Sequence, residues 1–269
     1  MKYLYSLLAL HIFVANDKMD MMMKKIFLFM AIALPFIFVS CSDDKDEAKD
    51  SNNHEWVDLG LPSGTLWATC NVGADRPEEY GDHFAWGETV PKELYHWSNY
   101  KWGHWDWDTI DGYPLYLEVT LYKYYYRNWK NNAYVEGDNK TELDPEDDAA
   151  YVNWGSKWRM PTLEQMQELL EYCDWQWTER NGVNGHLVTG PNEKTIFLPA
   201  AGGRADTLYF DGSSGYYWSR TLCSQQKLKM EAADQEEAYI IYLDACFNEA
   251  WYASRFDGQS VRPVRVSKQ

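Results

Sequence analysis

The feature of this sequence that most constrains its fold is a helix start at Thr162, directly after the motif Trp158-Arg159-Met160-Pro161. Thr at the N-cap with a Gln three residues later, here Gln165, forms a capping box, in which each side chain accepts a hydrogen bond from the other residue's backbone N–H. Apolar residues then recur at helical spacing, at Leu163, Met166, Leu169, Leu170 and Cys173. The pattern predicts an amphipathic helix whose other face turns Glu164, Gln167, Glu168 and Glu171 to water.

Residues 1–40 are typical of a secretory signal peptide. Lys24-Lys25 precede an apolar run, Ile26 to Val39, that ends at a small residue, and the run is too short for a membrane-spanning helix. Met23, next to the lysines, is the better initiator. Val39-Ser40-Cys41 resembles a bacterial lipobox, which predicts that Cys41 is the lipidated first residue of the mature protein. The alternative is an ordinary signal peptide with a chance cysteine.

Residues 41–54 contain almost no apolar side chains, so the sequence predicts a lipidated cysteine followed by an acidic, disordered tether. The Ser-Asp-Asp at 42–44 resembles the signal that sends Bacteroidetes lipoproteins to the outer surface. It predicts an outer-membrane, lipid-anchored protein that faces the cell exterior. A solvated linker on a protein facing the periplasm is the alternative. Residues 55–269 are predicted to form one folded domain.

The charge balance excludes two classes of partner. The whole chain has a formal charge of −16, and its first 40 residues carry +2, so the mature protein carries −18. Such an acidic protein repels phosphate backbones, which argues against nucleic-acid binding. It is also not attracted to anionic lipid, so the lipid on Cys41 is predicted to be its sole attachment to the membrane.

Four cysteines follow the predicted lipidation site, at Cys70, Cys173, Cys223 and Cys246. In an exported protein an even number permits disulfides, and the sequence does not choose among the three pairings. Cys70 and Cys173 lie in apolar patterns and fit equally well as small buried side chains. No pair has zinc-site spacing, and the sequence predicts neither a metal nor another cofactor. The acids of Asp144-Pro145-Glu146-Asp147-Asp148 suit calcium, yet helix capping explains them as well.

Short strands dominate the rest of the domain. The patterns predict hairpins at 56–59 with 66–70 and at 186–189 with 195–198, single strands at 80–87, 175–178, 216–221 and 238–243, and turns at Asn181-Gly182 and Asn184-Gly185. A short helix is predicted after an Asp144 N-cap with Pro145 at its first position. The last strand contains Pro263, which places it at an edge or a bulge. Short strands around two central helices indicate an α+β fold.

Residues 91–135 are exceptionally rich in Trp and Tyr, and neither the helical nor the strand period fits them well. They are predicted to form a long ordered loop region with at most short strands, and long loops in compact domains are often functional. Most of these rings are expected in the core. Trp102, Trp105 and Trp107, set among Gly103, His104, Asp106 and Asp108, are the candidates for exposed, ligand-binding rings.

Several motifs in order resemble one family. They are Trp56 to Thr69, Phe84-Ala85-Trp86-Gly87-Glu88, Trp154 to Thr162, Phe197-Leu198-Pro199-Ala200-Ala201-Gly202, Tyr216-Tyr217-Trp218-Ser219 and Ser260-Val261-Arg262-Pro263-Val264-Arg265. Together they resemble the Fibrobacter succinogenes major paralogous domain, common in Bacteroidetes lipoproteins and without an established biochemical function.

More distantly, the Arg159-Met160-Pro161-Thr162 and C-terminal motifs resemble the C-type-lectin-like fold, including its formylglycine-generating branch. That resemblance implies paired terminal strands, two helices and a long loop region that carries the ligand.

The motifs of specific activities are missing from the sequence. It has neither the Glu-Pro-Asn nor the Gln-Pro-Asp of calcium-dependent lectins, no close cysteine pair for copper, and no Gly-x-Ser-x-Gly or His-Glu-x-x-His. We therefore predict a cell-surface lipoprotein that is not an enzyme and serves as a binding or adhesion module for a glycan or an envelope protein. The alternatives are a structural or assembly lipoprotein and, behind both, an enzyme of the formylglycine-generating type.

Overall fold

The computed structural model describes residues 48–110, 113–130, 133–223 and 234–266, and Glu47–Gln269 cluster as one compact unit. The predicted signal peptide, the initiator Met23 and Cys41 lie outside the described residues. In the part of the chain that the structure describes, no helix is long and apolar enough to cross a membrane.

Two α-helices and many short strands make up the described fold. The helices are α1 (Ala149–Trp154) and α2 (Leu163–Tyr172). The strands are β1 (Trp56–Asp58), β2 (Thr65–Ala68), β3 (His83–Phe84), β4 (Gly103–Ile110), β5 (Tyr113–Leu121), β6 (Arg127–Lys130), β7 (Ala133–Glu136), β8 (Asp174–Arg180), β9 (Val183–Thr189), β10 (Thr195–Pro199), β11 (Gly203–Arg204), β12 (Leu208–Tyr209), β13 (Ser214–Leu222), β14 (Glu237–Asp244), β15 (Asn248–Ser254), β16 (Gln259–Ser260) and β17 (Val264–Val266). The fold is α+β, as predicted.

The central sheet has the strand order β15-β14-β13-β16-β3, with β13 and β16 parallel and its other neighbours antiparallel. A second sheet, β1-β2-β17, joins the first and last strands of the described domain, and β10-β9-β8 forms a third. The predicted hairpins β1–β2 and β9–β10 are confirmed, as are the strands at β8, β13 and β14. Pro263 lies in the break between β16 and β17, so its missing N–H costs no ladder hydrogen bond.

Alternation along β13 and β14 places a hydrophobic cluster on each face of the central sheet. Trp218 and Ile240 pack on one face with Trp86 and Trp158, among other residues. Tyr217 and Ile241 face the opposite way and pack with Leu169 of α2. Because both faces are covered, these strands read as nearly continuous apolar runs in the sequence.

The capping box at the start of α2 is confirmed. The Thr162 hydroxyl accepts a hydrogen bond from the Gln165 N–H at 3.2 Å, and the Gln165 side-chain oxygen accepts one from the Thr162 N–H at 2.9 Å. The predicted apolar stripe is buried at Leu163, Met166, Leu169 and Cys173. Glu168 differs from expectation, because its carboxylate accepts hydrogen bonds from the N–H and hydroxyl of Ser63 at 2.7 and 2.5 Å.

Replacing Thr162 with Ala removes half of this box and is expected to lower the free energy of unfolding by about 1 kcal/mol. The measurement is urea denaturation followed by circular dichroism. Gln167→Ala on the exposed side of the same helix is the matched control, and we expect it to change stability by less than about 0.5 kcal/mol. Equal effects of the two substitutions would contradict a stabilising cap.

The prediction of a long loop with at most short strands at 91–135 is wrong at β4 and β5, which are eight and nine residues long. Strands β4 and β5 pair antiparallel from Gly103 to Leu121, and β6 pairs with β7. The pairing of β4 with β5 shifts register between Asp106 and Trp107, and such a bulge breaks the alternation that marks a strand in a sequence. Aromatic side chains also favour strands over loops.

Three smaller predictions need correction. The α-helix near residue 150 is capped by Asp148, which accepts a hydrogen bond from the Tyr151 N–H at 3.0 Å, whereas Asp144 precedes only a 3₁₀ turn.

The turn at Asn181-Gly182 is confirmed, but Asn184-Gly185 lies inside β9. Gly185 is needed there because a Cβ atom would lie 2.3 Å from the Leu198 carbonyl oxygen. The strand predicted at 80–87 contracts to β3.

Residues 48–54, predicted to belong to the disordered tether, are ordered against the domain. The His54 ring stacks on Trp154 with a centroid separation of 4.0 Å, and the Asp50 carboxylate accepts a hydrogen bond from the Trp158 indole N–H at 2.7 Å. Burial disfavours the Asp50 charge, but hydrogen bonds from Trp158 and His54 outweigh it and lower its pKa to about 2. The tether prediction for residues 41–47 falls outside the described residues.

The thiols of Cys70, Cys173 and Cys246 are free, so the structure places no disulfide between these three. Cys173 is buried at the end of α2, in agreement with its interpretation as a small apolar side chain. Burial raises the pKa of the Cys173 thiol to about 11, which keeps it protonated and unreactive at neutral pH.

Candidate functional site

The structure describes the side chains of two of the three tryptophans predicted to bind a ligand, and neither is fully exposed. Trp102 is partly buried, its indole N–H donates to the Gly87 carbonyl at 2.7 Å, and the Lys101 ammonium lies 4.1 Å from its ring centroid. Trp105 is partly buried too, with its ring 6.2 Å from that of Trp97. Both rings are therefore only partly exposed, and their role in ligand binding stays a prediction. Trp107 lies in β4, and its side chain is outside the described part of the structure.

A buried ion network lies beside Trp102 and explains its environment. Asp147, with 2 % of its surface exposed, accepts hydrogen bonds from the ammonium groups of Lys101 and Lys123 at 3.1 and 2.6 Å and from the Tyr124 hydroxyl at 2.7 Å. Lys123 also bonds Asp144 at 2.6 Å. The two lysines neutralise the carboxylates of Asp144 and Asp147. These acids, considered above as calcium ligands, therefore have a structural role in the ion network.

A different set of aromatic rings forms a continuous row at one end of the central sheet. We call it the aromatic platform, and its members are Phe210, Tyr209, Tyr216 and Tyr242. Successive ring centroids lie 5.6, 5.8 and 5.4 Å apart. Phe210 is 62 % exposed, and the three tyrosines are partly exposed. The row therefore offers solvent a set of aromatic surfaces with hydroxyl groups among them.

Strand register creates this row. Tyr216 on β13 lies directly opposite Tyr242 on β14, and both point to the same face of the sheet as the fully buried Trp218 two residues along β13. The platform is thus the outward continuation of the hydrophobic core beneath it. A core that supports the rings from below holds them in place without a ligand, which lowers the entropic cost of binding.

The turn after β12 sets the outer end of the platform. Phe210 adopts φ = +56°, a left-handed conformation that costs an aromatic residue about 1 kcal/mol or more. Its carbonyl oxygen accepts hydrogen bonds from the N–H groups of Ser213 and Ser214 at 3.0 and 2.8 Å, which stabilise the turn. The most exposed ring of the platform is therefore presented by a strained but well-bonded backbone.

Asp244 borders the platform at the Tyr242 end. Its carboxylate accepts hydrogen bonds from the Tyr242 hydroxyl at 2.5 Å and from the N–H groups of Cys246 and Phe247 at 2.7 and 2.8 Å. Burial opposes its charge, but these three donors prevail and lower the pKa of Asp244. This acid therefore stays ionised at neutral pH and fixes the orientation of the Tyr242 hydroxyl.

Asp257 lies near Tyr209 and Tyr216 and differs sharply from Asp244. Burial alone raises its pKa to about 7, and among the described residues its carboxylate has no hydrogen-bond or ion-pair partner. Burial is the main cause of the raised pKa of the Tyr209 and Tyr216 hydroxyls, and the charge of the nearby Asp257 raises both further. The pKa of Tyr209 reaches about 12. A half-buried acid without a partner destabilises the folded state and marks a candidate binding group.

A polar cavity of about 650 Å³ lies elsewhere, between residues 52–55, residues 69–77, Trp154 and Arg180. At this cavity the guanidinium group of Arg180 lies 3.6 Å from the Glu78 carboxylate. Within the described ranges, none of the buried polar atoms that lack a hydrogen-bond partner lines this cavity. The platform, with its unpaired acid, is therefore the stronger candidate site.

No family model, no curated protein and no solved structure matches this chain. The resemblance to the Fibrobacter succinogenes major paralogous domain accordingly stays a prediction.

Sequence reasoning placed β13 and β14 correctly but missed the platform. One signal was present, because Tyr216 and Trp218 alternate on β13, and such spacing indicates one shared face. The sequence held no sign that Tyr242 lies opposite Tyr216, or that Tyr209 and Asp257 join them. Those neighbours depend on strand register and on loop paths.

Proposed function

We propose that this protein is a lipid-anchored, non-catalytic module that binds a glycan on the aromatic platform. The observation that carries the proposal is the row of supported aromatic rings bordered by an unpaired, half-buried carboxylate, Asp257. Rings combine large apolar area with polar edges and suit the C–H faces of sugars. A carboxylate accepts strong hydrogen bonds from sugar hydroxyls, and a ligand that supplied one would relieve the desolvation of Asp257.

The charges of the site favour a neutral, hydroxyl-rich glycan. Asp244 and Asp257 both border the platform, and among the described residues neither forms an ion pair with Lys or Arg. The mature protein also carries −18 overall. Sulfated or uronic-acid glycans would meet repulsion from both sources, whereas neutral sugars supply the donors that carboxylates and tyrosine hydroxyls require.

The wider assignment is part of the same proposal. The sheet β1-β2-β17 brings the first and last strands of the described domain together and, with two helices, supports a C-type-lectin-like topology. The lipobox at Cys41 and the acidic residues after it support attachment to the outer membrane, with the domain facing the cell exterior. A structural or assembly lipoprotein that binds an envelope protein is the second candidate, favoured by the exposed apolar residues Val90, Leu94 and Phe247.

A glycan array probed with the full-length protein in detergent tests the binding site. We expect binding to neutral glycans, and we expect Tyr216→Ala to weaken it by about 30-fold or more, as for a central aromatic contact. Tyr172→Ala, which removes an exposed ring on α2 away from the platform, is the matched control and should bind like the natural protein. Trp105→Ala tests the site predicted from the sequence.

Three results would contradict the proposal. Absence of binding to any glycan would favour the envelope-protein alternative. Loss of binding with Trp105→Ala but not with Tyr216→Ala, both folded by circular dichroism, would move the site to the 102–107 region. Release of reducing sugar from a bound glycan would show that the module is an enzyme.

A further inference from the structure

Strand β15 forms one edge of the central sheet, and its outward backbone groups can be identified. Hydrogen bonds from the Asp244 N–H to the Phe247 carbonyl, at 2.8 Å, and from the Arg255 N–H to the Glu236 carbonyl, at 2.9 Å, flank its pairing with β14. In an antiparallel ladder hydrogen-bonded residues alternate, so residues 249, 251 and 253 bond to β14. Residues 248, 250, 252 and 254 therefore direct their N–H and C=O groups away from the sheet.

This edge lacks the usual protection against pairing. Among the described residues no strand pairs with the outer side of β15, and a single backbone hydrogen bond from a loop reaches it, from the Asp257 N–H to the Ser254 carbonyl at 2.9 Å. The strand is seven residues long, contains neither Pro nor Lys, and has Glu249 as its one charged residue. Trp251 is 51 % exposed, with its ring stacked on Tyr252. Natural proteins shorten, charge or cover an edge of this kind unless it pairs.

We propose that β15 pairs with β15 of a second copy of this chain, antiparallel about a two-fold axis, to form one continuous ten-stranded sheet. If residue 250 pairs with residue 252 of the partner, and 248 with 254, the outward residues of each strand form hydrogen bonds. The Ser254 carbonyl, which already accepts from the Asp257 N–H, does so with its second lone pair. Trp251 then lies on the axis beside its own copy, and Glu249 faces Ala253 instead of another Glu249. The strand is complementary to itself in both hydrogen bonding and charge.

The other edge of the sheet explains why the partner is a second β15. That edge is β3, two buried residues long, which offers little backbone for a neighbour. Head-to-tail pairing of β15 with β3 would leave most of β15 unpaired, whereas β15 with β15 closes a dimer and leaves no long edge free. The proposal therefore predicts dimers and no filaments.

The dimer has a consequence for the proposed glycan site. A two-fold axis perpendicular to the sheet keeps corresponding faces on the same side. The two Tyr242 residues are then three strand spacings apart across the sheet and four residues apart along it, or about 20 Å. Two platforms on one surface permit bivalent binding, in which avidity exceeds single-site affinity by about 10²-fold or more. This consequence depends on the proposed function, but the dimer itself does not.

Sedimentation velocity of the full-length protein in detergent, over a wide concentration range, tests the dimer without any glycan. We expect a species of twice the monomer mass. Ala250→Pro removes an outward N–H without removing a bond to β14, and Trp251→Lys places two like charges side by side on the axis. Each should raise the dimer dissociation constant by about tenfold or more. A monomer at every concentration, or unchanged dimerisation in both folded variants, would overturn the proposal.

Cysteine cross-linking tests the register. In a Cys246→Ser background, Trp251→Cys brings two thiols together on the axis, where the Cα atoms of a non-hydrogen-bonded pair lie about 4.5 Å apart and a disulfide can form. Glu249→Cys is the matched control, because its two copies lie about 14 Å apart in this register. Dimers linked through 251 and not through 249 support the proposal, and the reverse result contradicts it. If the protein forms the dimer but binds no glycan, the proposed function is refuted and the dimer is not.

Discussion

Replacing Arg262 with Met is expected to lower the free energy of unfolding by about 4 kcal/mol or more, a large fraction of the stability of an ordinary domain. The guanidinium group of Arg262 is 1 % exposed and donates to the Asn71 side-chain oxygen at 2.8 Å and to the carbonyls of Ala68, Thr69 and Phe197 at 3.0–3.1 Å. Met fills a similar volume but leaves these buried acceptors without a donor, and each unsatisfied group costs about 1–3 kcal/mol.

Arg265→Met is the matched control within the same C-terminal motif. Its guanidinium lies 4.0 Å from the Trp56 ring centroid and is partly exposed, so its loss should cost about 1 kcal/mol. Urea denaturation followed by tryptophan fluorescence measures both variants. Equal destabilisation by the two substitutions would show that the buried network of Arg262 does not bind the C-terminal segment to β2 and β10.

Replacing Asp257 with Asn should stabilise the protein at pH 8 and leave it nearly unchanged at pH 4. The natural carboxyl has a folded-state pKa of about 7, against an ordinary value of 3.8. This difference corresponds to at most about 4 kcal/mol, and solvent at the exposed part of the group reduces it. Asn keeps the size of the side chain and removes the charge that burial penalises.

The sign follows from proton binding. Between pH 4 and pH 7 the folded protein holds a proton on Asp257 that the unfolded chain releases, so the contribution of this group to stability falls as the pH rises and is lost above 7. Nearby Tyr209 and Tyr216 stay neutral in this window, because their pKa values are raised above 10. Urea denaturation of both proteins from pH 4 to pH 8 isolates the effect as a difference. A constant difference across that range would mean that Asp257 ionises normally.

Asp244 and Asp257 also show how the proposed binding site lowers the stability of the fold. Asp244 has three donors and is stabilised as an anion, whereas Asp257 is left without one beside the same row of rings. In the proposed glycan complex a ligand hydroxyl would be the missing partner, and its arrival would offset a penalty that the fold bears in the free state.

Sequence patterns predicted the parts of the fold that depend on near neighbours in the chain. The capping box joins Thr162 to Gln165, and the Asn181-Gly182 turn joins β8 to β9, so each signal spans only a few residues. Alternating or continuous apolar runs located β13 and β14. The one large failure, at β4 and β5, came from a bulge that shifts the register after Asp106 and hides the strand period.

Tertiary structure alone decided the candidate site and the residues that hold the domain together. Arg262 meets Asn71 across 191 positions of sequence, and the platform unites Phe210, Tyr209, Tyr216 and Tyr242 from separate strands and a turn. Local propensity fixes backbone conformation within a few residues, whereas strand register and burial are set by the packing of the whole chain. The exposure of a ring and the pKa of an acid depend on that packing, and so they appear only in the folded protein.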